Sequence, residues 1–136
     1  MGLFANFNIS GSAISAQSVR LNTIASNLSN VETSASSEAE AYRSRQPVFQ
    51  AMLGDHARPG EVGVKMLQIV ESQEKVTSRY EPGHVLANEE GFVFGSNVNP
   101  VEEMANMISA SRAYQNNVQV LSTSRDLLLR VLSLGS

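Results

Sequence analysis

The strongest constraint in this 136-residue sequence is a helix pattern at its C-terminal end. Asn99-Pro100 supplies a polar N-cap with proline at the first helical position, and Glu102 follows the cap by three, as in a capping box. Glu102 and Glu103 also suit the positive end of a helix dipole. Two rows seven residues apart then run on: Met107, Tyr114, Leu121 and Leu128, and Met104, Ser111, Val118, Arg125 and Leu132. Gly135 ends the pattern. A helix of about 35 residues is ~52 Å long, more than a domain of this size usually contains. One chain can cover such a rod along only part of its length.

A second helix is expected from about Gly11 to Val31. Ile14, Leu21 and Leu28 form one heptad row, and Gln17, Ile24 and Val31 form another, offset by three. The 3–4 spacing is that of a coiled-coil seam with Gln17 as its polar interruption, over ~32 Å. Beside the seam, Asn22, Ser26 and Asn30 recur four apart. Asn and Ser compete for backbone hydrogen bonds and are mediocre helix formers, so their use in place of Glu and Lys points to a helix surrounded by other helices. The expected fold is mainly α, with N- and C-terminal helices forming a coiled-coil-like pair around a small β-rich middle segment. The expected divisions are an N-terminal helix in 1–33, a connector and small β-rich segment in 34–97, and a long C-terminal helix in 98–136.

The distribution of charge sharpens this picture. Arg20 is the sole charged side chain in the first 31 residues, residues 42–97 carry 13 charges of mixed sign, and residues 98–136 carry six. Arg125, inside a seam row, reads as a snorkelling surface residue. The polar balance comes from 19 Ser and 11 Asn instead, with aromatics at only 6% and no cysteine or tryptophan, so any core is thin. A net charge of −3 excludes a generic phosphate-backbone binder. Zero cysteine excludes disulfides and thiolate chemistry. The N-terminus lacks the basic and apolar regions of a secretory signal, Asn6 stands where myristoylation requires Ser or Thr, and no run nears the ~20 apolar residues of a membrane span.

The middle reads as short strands at Tyr42–Met52, Val62–Glu71 and Gly91–Gly95, after a flexible connector over Thr33–Ala41. Val62, Val64 and Met66 alternate with Gly63, Lys65 and Leu67 as in a half-buried strand. Chemistry is scarce. His56 lies in a Gly/Asp/Arg/Pro loop and His84 follows the Pro82-Gly83 turn, with no metal-ligand spacing around either. Asp55 beside His56 has no nucleophile elbow to serve, and no phosphate-binding glycine loop is present. The residues describe a non-enzyme without cofactor, metal or catalytic group.

At this point two segments carry a resemblance. Leu21-Asn22-Thr23-Ile24-Ala25-Ser26-Asn27-Leu28-Ser29-Asn30-Val31-Glu32-Thr33 resembles the N-terminal signature of bacterial flagellar rod and hook proteins. The stretch from Glu102-Glu103-Met104 through Ile108-Ser109-Ala110-Ser111-Arg112-Ala113-Tyr114-Gln115-Asn116-Asn117-Val118 resembles that family's C-terminal helix. Tyr80-Glu81-Pro82-Gly83-His84, Gly91-Phe92-Val93 and Asn97-Val98-Asn99, with the short length, are similar to the proximal-rod members. Residues 34–41 and 53–61 carry no matching motif.

The resemblance implies a structural subunit of the flagellar basal-body rod, exported without a cleaved signal through the type III apparatus. Its terminal helices would polymerise into the inner tube of a periplasmic drive shaft that transmits torque. The implied partners are copies of the chain, other proximal and distal rod subunits, the rod-to-MS-ring adaptor and the export apparatus. Nucleic acid, membrane insertion and a small-molecule substrate are not among them. Subunit contacts are expected from Ile14, Gln17, Leu21, Ile24, Leu28 and Val31 against Met104, Met107, Ser111, Tyr114, Val118, Leu121, Leu128 and Leu132, flanked by Arg112 and Arg125. Asn22, Asn27 and Asn30 are expected to bond to neighbours. The alternatives are a type III-exported effector or chaperone-bound binding module and, more remotely, a small hydrolase using His56 or His84.

Overall fold

The computed structural model describes residues 2–53 and 62–135. In chain order the elements are α1 (Leu3–Ser29), β1 (Ser34–Ala35), β2 (Arg45–Leu53), β3 (Val62–Glu71), β4 (Ser78–Tyr80), β5 (Phe92–Gly95) and α2 (Pro100–Leu134). The two helices, of 27 and 35 residues, make the chain close to half helical, with the β elements between them.

The long helix begins and ends where its punctuation demands. Asn99 Oδ1 accepts from the Val101 and Glu102 N–H groups at 3.2 and 3.3 Å, relieving two of the donors left open at a helix start. At the other end Gly135 N–H reaches Leu132 O at 3.3 Å. The first helix departs from expectation by starting at Leu3, not near Gly11. Phe7 stands one heptad before Ile14, so the heptad row extends about two turns further back, and Gly11 sits inside the helix. The Ala5 and Asn6 N–H groups bond Gly2 O at 3.0 and 3.3 Å. α1 closes two residues before Val31, where Asn30 N–H is shared between Ser26 O and Asn27 O, both at 3.2 Å.

Two compact units are formed, one from three stretches of chain and the other from two. The first comprises Met1–Leu21, Pro47–Gln68 and Ile108–Ser136. In it Ser12 Oγ donates to Ile9 O at 2.8 Å and accepts from Val64 N–H at 3.1 Å, stitching β3 to α1. Gly63 permits that approach, because a Cβ there would lie 3.2 Å from Ser12 Oγ. On α2 the sheltered positions within this unit are Ala110, Ser111, Ala113, Tyr114, Asn117, Leu121, Ser124 and Leu128, and from Ala110 the residues Tyr114, Asn117, Leu121, Ser124 and Leu128 follow one another at a 3–4 spacing along one face. β2 and β3 form a two-stranded ribbon. Val62 and Val64 are half-buried, but the expected alternation stops there: Lys65, Met66 and every later residue of β3 are exposed, so that neither of the strand's two alternating sets of side chains is sheltered beyond Val64.

The second unit comprises Asn22–Gln46 and Ile69–Met107. Its sheet has the order β1-β5-β4, antiparallel throughout, with Ser34 opposite Gly95 and Arg79 opposite Val93. Val93, 1% exposed, is its anchor, and Ala41 and Val98 are buried with it. Tyr80 and Phe92 meet edge to face across β4 and β5 at 5.3 Å. Gly91 must be glycine, since its φ is +82° and a Cβ would come 2.8 Å from the Tyr80 ring.

Strands β1 and β4, two and three residues long, are too short to show a period in sequence. The connector expected to be flexible over Thr33–Ala41 carries β1 and a turn in which the Glu40 and Ala41 N–H groups bond Ser37 O. The strand expected from Tyr42 starts at Arg45, because Tyr42, Arg43 and Ser44 are engaged by other elements. His84 Nδ1 accepts from Leu86 N–H at 3.0 Å, a local turn. Gly54, Asp55, His56, Pro59 and Gly60 lie outside the described residues.

Candidate assembly surfaces

Among the described residues, buried polar side chains (Ser10, Thr23, Asn27, Ser44, Ser96, Glu103, Ser124) outnumber buried apolar ones, and three of the latter six are alanines. Hydrogen bonds therefore supply much of what holds the fold, and every such group must find a partner to be affordable. The densest set surrounds Asn27, which is 1% exposed. Its Oδ1 accepts from Arg45 N–H and Tyr42 OH, both at 2.9 Å, and its Nδ2 donates to Arg45 O at 2.8 Å and Ser44 Oγ at 3.4 Å.

A second amide extends the network. Asn97 Oδ1 accepts from Ser44 N–H at 2.6 Å and its Nδ2 donates to Glu74 O at 3.0 Å. Arg43 donates to Ser72 O and Glu74 O, and Ser72 N–H bonds Ser44 O at 2.8 Å. Ser96 Oγ reaches Val31 O at 2.7 Å, tying the exit of α1 to the approach to α2. The Arg45–Glu71 ion pair at 3.4 Å and the Arg45 guanidinium 5.5 Å from the Tyr42 ring lie on the half-exposed rim.

The expected contact residues divide by shelter. On α1, Ile24 and Asn27 are buried, Ile14, Gln17, Leu21 and Leu28 are half-buried and Asn22 is exposed, while Asn30 and Val31, just past the helix, are half-buried. On α2, Met107, Ser111, Tyr114, Leu121 and Leu128 are half-buried, whereas Met104, Arg112, Val118, Arg125 and Leu132 are exposed. Apart from the half-buried Ser111, the two α2 rows thus separate into an inward one and an outward one. Asn27, expected to bond to neighbours, makes its hydrogen bonds inside the chain, and Asn30 Nδ2 donates to Ser26 O at 2.8 Å. Gln17 Oε1 is buried without a hydrogen-bond partner.

Sequence reasoning missed two groups. Tyr42, Ser44, Arg45 and Asn97 escaped because a single sequence shows donors and acceptors but not their partners. Leu127, Leu129, Val131 and Leu134 of the last α2 turns also escaped, because the two heptad rows take only Leu128 and Leu132 from the run Leu127-Leu128-Leu129-Arg130-Val131-Leu132. Leu127, Leu129, Val131 and Leu134 are 51%, 52%, 61% and 86% exposed. An apolar surface of this extent is what association surfaces carry and what isolated chains avoid. Among the described residues no three His, Cys, Asp or Glu gather as metal ligands, and no helix is long and apolar enough to cross a membrane.

Comparisons with known proteins place this geometry. Residues 7–34 match the family model described as flagella basal body rod protein, and residues 89–134 the one described as flagellar basal body rod FlgEFG protein C-terminal. The chain is 45% identical over 135 residues to the flagellar basal-body rod protein FlgC of Escherichia coli O6:H1, covering 99% of both chains. It is 44% identical over 137 residues to FlgC of Salmonella typhimurium, again over 99% of both, and 30% identical over 149 residues to FlgC of Borreliella burgdorferi, over 98% of both. With a capped 35-residue helix, an apolar outward row and full-length kinship of this degree, the chain belongs to the FlgC family of flagellar basal-body rod proteins.

Proposed function

We propose that this chain is a structural subunit of the proximal rod of the flagellar basal body, polymerising through its two terminal helices into the periplasmic shaft that carries torque to the hook. The observation that carries the reading is the outward row of α2. Met104, Ile108, Val118 and Leu132 are 41–61% exposed, and Leu127, Leu129, Val131 and Leu134 join them over the last turns. Covering an aliphatic side chain of this kind is worth ~1.5–3 kcal/mol when complete, so repeated contacts along ~52 Å of helix supply a stiff, densely packed wall. A head-to-tail contact that does not close generates the helical array such a shaft needs.

Coiled-coil-like packing of α1 with α2, within and between subunits, belongs to this proposal. So do export by the type III apparatus and contacts with other rod subunits and the rod-to-MS-ring adaptor. Ile14, Leu21 and Leu28 of α1 and Met107, Tyr114, Leu121 and Leu128 of α2 would line the inward seam, with Met104, Val118 and Leu132 meeting neighbours. Asn22, exposed on α1, is the asparagine best placed to bond to another subunit. Removal of residues 1–31 is the test. Loss of the rod and of motility is expected, and a truncated chain that still enters a rod and restores swimming overturns the proposal.

A further inference from the structure

The side-chain amide of Asn27 does more than fill a buried space. It takes both backbone groups of one residue: Arg45 N–H bonds Oδ1 at 2.9 Å, and Nδ2 bonds Arg45 O at 2.8 Å. A primary amide that exchanges two hydrogen bonds with a single backbone residue imitates a strand partner. Arg45 is the first residue of β2, so the side chain of a helix serves as the strand mate that starts the ribbon. The remaining capacity of the amide is filled by Tyr42 OH and Ser44 Oγ, so the group is saturated and held in one orientation.

We propose that Asn27 is a positioning residue that sets the register at which β2 leaves the last turns of α1, and that uniform subunit geometry in the assembled rod depends on it. The chemistry admits few substitutes. An aspartate keeps the acceptor but aims an anion at Arg45 O, an alanine offers neither group, and a glutamine is one methylene too long to hold the same backbone position. Because β2 is continuous from Arg45 to Leu53, an error at Arg45 passes to every later residue of the strand. A helical polymer repeats one contact many times, so variation at this joint is multiplied along it.

The assembly consequence rests on the proximal-rod reading; the register itself does not, and two measurements separate them. In the free full-length chain, amide hydrogen exchange at Arg45 is slow, and Asn27→Ala accelerates it about tenfold or more, the scale of one or two lost hydrogen bonds. Tyr42→Phe removes the neighbouring hydroxyl but leaves the amide pair, so exchange at Arg45 stays within about twofold of the parent. Equal acceleration in both variants, or none in Asn27→Ala, overturns the register claim.

The second measurement is rod assembly in the native host lacking its own copy. Arg45→Ala keeps the backbone pair and assembles, whereas Arg45→Pro removes the N–H and does not, with helix content by circular dichroism unchanged in both. Assembly of Arg45→Pro at the level of Arg45→Ala overturns the dependence of the rod on this joint. Failure of the unmodified chain to assemble overturns the rod reading instead, and leaves the exchange result standing.

Discussion

The network around Asn27 and the last three turns of α2 are built on opposite terms. The first is polar, buried and fully hydrogen-bonded; the second is aliphatic and open to water, with Leu132 61% and Leu134 86% exposed. Ordinary domains arrange these the other way round, with aliphatics inside and amides outside. The inversion separates two tasks. Hydrogen bonds with exact partners define the subunit, and the hydrophobic surface, which is non-directional, is left for association. A thin core, in which three of the six buried apolar residues among those described are alanines, is then sufficient for the part that the chain must define by itself.

The contrast can be broken most visibly at the open end. Met104→Lys with Leu132→Lys places charges on two exposed positions of the outward row, so rod assembly in cells is expected to fail outright. The thermal midpoint of the free chain, followed by circular dichroism, should move little, since exposed substitutions stay within ~0.5 kcal/mol. A variant that assembles normally would show that this row is not an association surface.

In the hydrogen-bonded unit the balance reverses. Gly91→Val meets both the +82° φ and the Tyr80 ring, and a cost of about 3 kcal/mol is expected in urea unfolding of the free chain. Asn99→Ala removes the acceptor for the Val101 and Glu102 N–H groups and should cost ~1 kcal/mol, seen as fraying of the first turn of α2 in hydrogen exchange. Glu71→Gln breaks a half-exposed ion pair with Arg45 and should change stability by less than ~0.5 kcal/mol. A large effect there would make the rim, and not the buried amide, the main tie at Arg45.

How much of this was legible in the sequence depended on the range of the signals. The bounds of α2 were readable because Asn99, Pro100 and Gly135 act locally on the backbone, and β3 fell at Val62–Glu71 as its composition indicated. The start of α1 was not, because residues before Gly11 carry no charged side chain, the cap-type residues Asn6, Asn8 and Ser10 mark no single start, and the seam continues only through Phe7 and Leu3, with the polar Ser10 between Phe7 and Ile14. β1 and β4 depend on pairing with β5 and have no length in which to show a pattern. The rows on α2 were visible as rows, but which one turns inward is decided by what packs against them. The duty of Asn27 was least visible: Thr23, Ile24 and Asn27 share a buried stripe, yet nothing local distinguishes an amide bonding a strand from one bonding a neighbouring molecule.

The short pairing of β1 with β5 has a consequence for how such chains vary over evolutionary time. Ser34 lies opposite Gly95 and Ala35 opposite Phe94, with Ser96 Oγ bonded to Val31 O just beyond. The chain therefore departs and returns at a clasp, and the residues between form a loop closed at its base. Lengthening a loop closed in this way adds only ~0.6 kcal/mol of closure entropy per doubling. Insertions and deletions between the clasped residues can then accumulate while the exit of one helix and the entry of the next keep their places, so length is free to drift in the middle of the chain and is constrained at its two ends.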